Sequence, residues 1–287
     1  MQVHTLDTSA LSELAKQPHG LVRHRLIDEI AAERIVVLGT HPLLLELAGA
    51  HRANRAHFRA MFELLIRITS RRLLLPALQR IDRELSARGP LAFPDFVDQK
   101  EGVVPFDDSA ALEQGEADLF GRTRGLAFRE AEQTADAARD LDDLGRRQAR
   151  AAGVPFDESR WRKGLKDQFR VPAWLHDLAE HYARKTIEHR GKASGIDVSG
   201  LSPSSVPSAW SSAWIHVSRM RAVIVGGASP TGKKSPGPLD LVHLKEAASY
   251  ADMFVTKDRG LLAFAKDVPG LRCEVLSFDQ WARRFTA

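Results

Sequence analysis

Four acidic residues, Asp7, Glu46, Asp240 and Asp258, are placed where carboxylates can do chemistry together. None has an obvious Lys or Arg partner built into its own motif. Like charges within a few ångströms raise one another's pKa unless a cation neutralises them. Ligands that offer only oxygen suit Mg²⁺ or Mn²⁺, and His176, His181 and His189 do not form a His-Glu-x-x-His zinc pattern. A hard divalent ion held by such acids activates water and stabilises charge on a phosphodiester, which is the chemistry of hydrolytic nucleases. Each acid also has an ordinary reading. Asp7 can cap a helix, Asp240 can sit in a helical first turn, Asp258 can be a turn residue and Glu46 a solvated helical carboxylate. It is their joint placement that points to a site.

That placement depends on the elements around them. Val3 to Leu6 reads as a short strand with Asp7 directly after it. Ile35-Val36-Val37-Leu38 is a β-branched run suited to a buried parallel strand, turned by Gly39-Thr40-His41-Pro42 into a Leu-rich helix that holds Glu46 about one turn in. Phe254-Val255-Thr256 forms another strand, and Asp258 follows two residues later. A helix from Asp240 to Tyr250 feeds that strand and must run antiparallel to it. At 1.5 Å per residue it spans roughly 16 Å, which returns Asp240 to the edge where the strands end. In parallel α/β sheets functional groups collect at that edge.

The two ends of the chain resemble the PIN-domain nucleases, a family that includes the toxins of many bacterial toxin–antitoxin pairs. The resemblance is carried by Asp240-Leu241-Val242-His243-Leu244-Lys245-Glu246-Ala247-Ala248 leading to Phe254-Val255-Thr256-Lys257-Asp258. Leu6-Asp7-Thr8-Ser9-Ala10-Leu11, the Ile35 to Leu38 run with Leu45-Glu46-Leu47, and the closing Val275-Leu276-Ser277-Phe278 add to it. It implies an α/β fold, a PIN-like parallel sheet flanked by helices, over 1–85 and 206–287. It also implies that Asp7, Glu46, Asp240 and Asp258 bind Mg²⁺ or Mn²⁺, with Ser9 and Thr256 as supporting hydroxyls. The chain departs from the compact family pattern in a long α-helical insertion over 86–205. Within it, helices are expected from Glu116 to Ala152 and from Val171 to Arg190, with no strands. From Leu91 to Gly145 there are 14 acidic residues against 5 basic, so this stretch is acidic inside a basic protein.

The expected activity is that of an endoribonuclease using metal-activated water. A DNA or structure-specific nuclease is the alternative within the same chemistry. From another class, the alternative is a catalytically silent RNA- or protein-binding module. Nucleic acid is the expected partner, RNA before DNA, and an antitoxin, another protein or a second copy are further partners to consider. His243, three residues after Asp240 on one helical face, can orient a carboxylate, or can be a satisfied structural histidine. Gly227-Ala228-Ser229-Pro230-Thr231-Gly232-Lys233 imitates a phosphate-binding loop, but Lys234 stands where Ser or Thr should ligate Mg²⁺ and Ser235-Pro236-Gly237-Pro238 breaks the helix that should follow. It reads instead as a basic loop in which Lys233 and Lys234 reach backbone phosphates, or as a solvated flexible loop.

Composition sets outer limits. The 287 residues, 44% of them hydrophobic, suffice for a substantial core. With 41 basic and 37 acidic residues the net charge is +4, compatible with a polyanionic partner. One cysteine, Cys273, excludes an intrachain disulfide framework and reads as buried packing. The N-terminus lacks a signal-peptide pattern and no apolar run is long enough to span a membrane, so a cytoplasmic protein with no membrane partner is expected.

Overall fold

A computed structural model describes residues 1–16, 19–44, 46–47, 54–98, 136, 139–226 and 236–286. Lys233, Lys234 and the rest of the phosphate-loop imitation lie outside the described residues, as does most of the helix expected over Glu116 to Ala152. Its last part is present as a helical stretch over 139–151.

Four strands, β1 (Gln2–Leu6), β2 (Ile35–Val37), β5 (Met253–Thr256) and β6 (Glu274–Ser277), form one sheet in the order β2-β1-β5-β6, and every pairing is parallel. The chain crosses between them through helices: α1 (Thr8–Leu14) and α2 (Gly20–Ala31) after β1, α8 (Pro238–Ala247) before β5, and α9 (Arg259–Lys266) between β5 and β6. After β2 come helical residues at 41–44 and 46–47 and then α3 (Arg55–Thr69). Helix α4 (Ala77–Ala87) follows, then α5 (Glu158–Gln168), α6 (Pro172–Ser194) and α7 (Pro207–Ile224), and α10 (Phe278–Arg283) closes the fold.

Side chains along the strands alternate between two faces, as strand geometry requires. Ile35, Val37, Met253, Val255 and Leu276 face one core with Leu11, Phe58 and Trp281 from the helices. Phe254 faces a second core with Trp214, Leu241, Leu244 and Leu261. Both faces are therefore covered, which explains why β5 is buried along its whole length. Leu165 of α5, Phe169 at its C-cap, and Leu175 and Ala179 of α6 belong to that second core, so this part of the 86–205 stretch packs under the sheet.

Two short strands were not foreseen. β3 (Leu73–Leu74) pairs antiparallel with β4 (Val97–Asp98) as a separate two-stranded sheet, and an isolated parallel bridge joins Leu73 to Gly39 just past β2. The stretch read as free of strands thus contains β4. The third helix stops because Ser70 and Arg71 take positive φ, 49° and 62°. The helix expected to start at Asp240 starts at Pro238, whose fixed φ and missing N–H suit a first helical position. Among the described residues no helix is long and apolar enough to cross a membrane.

Candidate active site

The site lies at the carboxyl edge of the parallel sheet, where β1 and β5 end. Asp7 follows β1 and is the N-cap of α1: its Oδ1 accepts from the Ala10 N–H at 2.7 Å and from the Ser9 hydroxyl at 2.8 Å. Its Oδ2 accepts from the Thr256 hydroxyl on the neighbouring strand. Thr256 in turn accepts from the Asp258 N–H at 2.9 Å, so one hydroxyl ties the two strand ends together. Asp258 caps α9, accepting from the Leu261 N–H. Ser9 also accepts from the Lys257 N–H at 2.9 Å. Both supporting hydroxyls expected from the sequence therefore touch Asp7.

Asp240 occupies the first turn of α8 and reaches back to accept from the Gly237 N–H at 2.7 Å. Glu46 comes from the helical segment after β2. Its Oε2 accepts from the Thr8 hydroxyl and from His243 Nε2 at 3.0 Å. His243 is fully enclosed, with 1% of its surface exposed, and its other ring nitrogen meets the Thr40 hydroxyl at 3.2 Å. Because a carboxylate only accepts, Nε2 carries the proton in the Glu46 bond.

The electrostatics couple these groups. Burial pushes the Asp7 carboxyl up, against hydrogen bonds from Thr256, Ala10 and Ser9 that pull it down. Burial also lifts Asp240 to about 6; the Gly237 N–H opposes this, and the charges of Asp258 and Glu46 add to it. For Glu46 burial again raises the pKa, but the hydrogen bond and charge of His243, with Thr8, outweigh it and hold the group low. Burial lowers His243, and the nearby Glu46, Asp7 and Asp240 overcome that and raise it. Asp240 thus feels the charges of Asp258 and Glu46, and His243 feels those of Glu46, Asp7 and Asp240. Thr8 and Thr40 were missed; the only signal in the sequence was their place beside strand ends, in Asp7-Thr8-Ser9 and Gly39-Thr40-His41.

The donor types and the raised pKa of Asp240 beside Asp258 and Glu46 fit a hard divalent cation. The spacing is less favourable: among the described residues no three His, Cys or acidic side chains stand as a ready ligand set. Glu46 Oε1, Asp240 Oδ1 and Asp258 Oδ2 take no hydrogen bond among the described residues, so these three acids each keep an oxygen to offer, whereas both oxygens of Asp7 accept hydrogen bonds. No family model, no curated protein and no solved structure matches the chain.

Proposed function

We propose that the protein is a divalent-metal-dependent nuclease that hydrolyses phosphodiester bonds, with RNA as its first substrate class. The observation that carries this reading is the gathering of Asp7, Glu46, Asp240 and Asp258 from four separate segments at the carboxyl edge of a parallel sheet. Burial and the charges of Asp258 and Glu46 together hold Asp240 at about 6. Concentrating acids in this way costs stability unless a cation is taken up. Mg²⁺ or Mn²⁺ bound there would supply a Lewis acid for water and for the phosphodiester oxygens.

The chain's own residues divide the remaining work. Asp7 is held by three donors, the Ala10 N–H and the Ser9 and Thr256 hydroxyls. Thr256 couples Asp7 to Asp258, so the two acids at the ends of β1 and β5 are set relative to each other. Beside them Glu13 gathers Lys16, His19 and Lys257, and the two lysines, half exposed, offer positive charge to a nucleic-acid backbone. The test is cleavage of labelled single-stranded RNA and DNA by the wild-type protein with Mg²⁺, Mn²⁺ or EDTA. Cutting of RNA that stops in EDTA is expected; indifference to EDTA contradicts the proposal.

One observation favours a second reading. His243 satisfies the Glu46 carboxylate from within the protein, with Nε2 3.0 Å from Oε2, and a site satisfied in this way also suits a catalytically silent RNA- or protein-binding module. That reading predicts RNA binding without metal and no cleavage under any condition.

A further inference from the structure

Glu46 is held differently from the three aspartates. Asp7, Asp240 and Asp258 each accept a backbone N–H within their own helical turn. No backbone donor reaches Glu46 among the described residues. Its position rests on two side chains from distant segments, Thr8 at the start of α1 and His243 on α8, which both donate to the same oxygen, Oε2. His243 is in turn fixed from behind by Thr40, whose hydroxyl lies 3.2 Å from Nδ1 and whose carbonyl and hydroxyl also begin the helical segment carrying Glu46. Thr40 and His243 are both fully buried, so this chain of contacts is sheltered from water. With Oε2 saturated by two donors, Oε1 is the oxygen left for a ligand.

We infer that His243, backed by Thr40, is a positioning residue: it fixes the Glu46 carboxylate so that Oε1 is presented to a divalent ion held with the aspartates. The inference rests on the metal-dependent reading above. Hydrogen-bond partners behind a metal ligand change metal affinity by about 10- to 100-fold when removed, because the ligand must then be ordered at the moment of binding.

The two ring nitrogens can be separated by substitution. A glutamine side chain places its amide near Nε2, keeping the donor to Glu46. An asparagine places its amide near Nδ1, keeping the Thr40 contact and losing Glu46. Mn²⁺ affinity is measured by calorimetry on the full chain for wild type, His243→Gln, His243→Asn, Glu46→Gln and the double variant Glu46→Gln/His243→Asn. The expected result is near wild-type affinity for His243→Gln and a loss of about 10- to 100-fold for His243→Asn. In the Glu46→Gln background, His243→Asn should cause no further loss, since the effect passes through Glu46. Equal losses for the Gln and Asn variants, or a second full loss in the Glu46→Gln background, would overturn the inference and leave the metal site standing. Absence of Mn²⁺ binding by the wild-type protein would overturn the metal-dependent reading and this inference with it.

Discussion

At the scale of single residues, Asp7 and Asp258 each do two things that can be pulled apart. Both are N-caps, so their carboxylates satisfy helical N–H groups that otherwise lack partners. Asparagine caps about as well as aspartate, whereas alanine in a cap position costs about 1 kcal/mol. Asp258→Ala should therefore lower unfolding stability in urea by about that amount, while Asp258→Asn keeps it. Asp240 gives a pH signature. Its folded pKa of about 6 lies above the ordinary carboxylate value of 3.8, so the folded state holds the proton more tightly. Its favourable contribution is present below pH 3.8 and is lost as pH rises through 6. In EDTA, Asp240→Asn should be more stable than wild type at pH 8 relative to the same comparison at pH 4, and urea unfolding at the two pH values measures this. The positions of three acids follow from the sequence pattern: Asp7 and Asp258 come just after strands, and Asp240 sits in a helical first turn. Thr8 and Thr40 were not legible there, because a threonine hydroxyl beside a strand end has many ordinary uses and gives no pattern of its own.

At the scale of elements, β1, β2 and β5 could be read from compact apolar runs, and their parallel pairing followed from the helices between them. β3 could not. Leu73 and Leu74 sit in a Leu- and Arg-rich stretch of helical character, and the break before them is made by Ser70 and Arg71 in left-handed backbone, where no Gly or Pro gives warning. The join between α4, α7 and α8 was equally hidden, because it is polar and buried. Arg80 is completely enclosed; it donates to the Leu75 carbonyl at 2.6 Å, to Ser208 at 3.2 Å and to Glu246 at 3.3 Å. Glu84 beside it accepts from Ser208 and Tyr250. Removing one member of such a network leaves uncompensated buried charge at a cost of about 3–5 kcal/mol. Arg80→Ala should lose that much stability by chemical denaturation; a loss below about 1 kcal/mol, the range of an exposed pair, would show the network to be dispensable.

At the scale of the molecule, the question is whether the chain folds as one unit. The insertion was read from an acidic, strand-poor composition, which says nothing about where its helices pack. Phe169 and Leu175 lie with Phe254 and Leu261 in one core beneath the sheet. Phe169, fully buried, should cost about 3–5 kcal/mol when replaced by alanine. That loss should appear as a shift of one cooperative melting transition. Two separate transitions, with only the first displaced, would mean that the helices past residue 158 melt apart from the sheet.

The central claim, that the clustered carboxylates are a nuclease site, is tested most directly by metal-dependent RNA cleavage compared among wild type, Asp7→Asn and Asp258→Asn. Both variants keep a capping residue, so circular dichroism should show both folded. The account predicts that both lose cleavage by at least about 100-fold, the scale of a positioned catalytic group. Folded variants that cut RNA as fast as the wild type would contradict it.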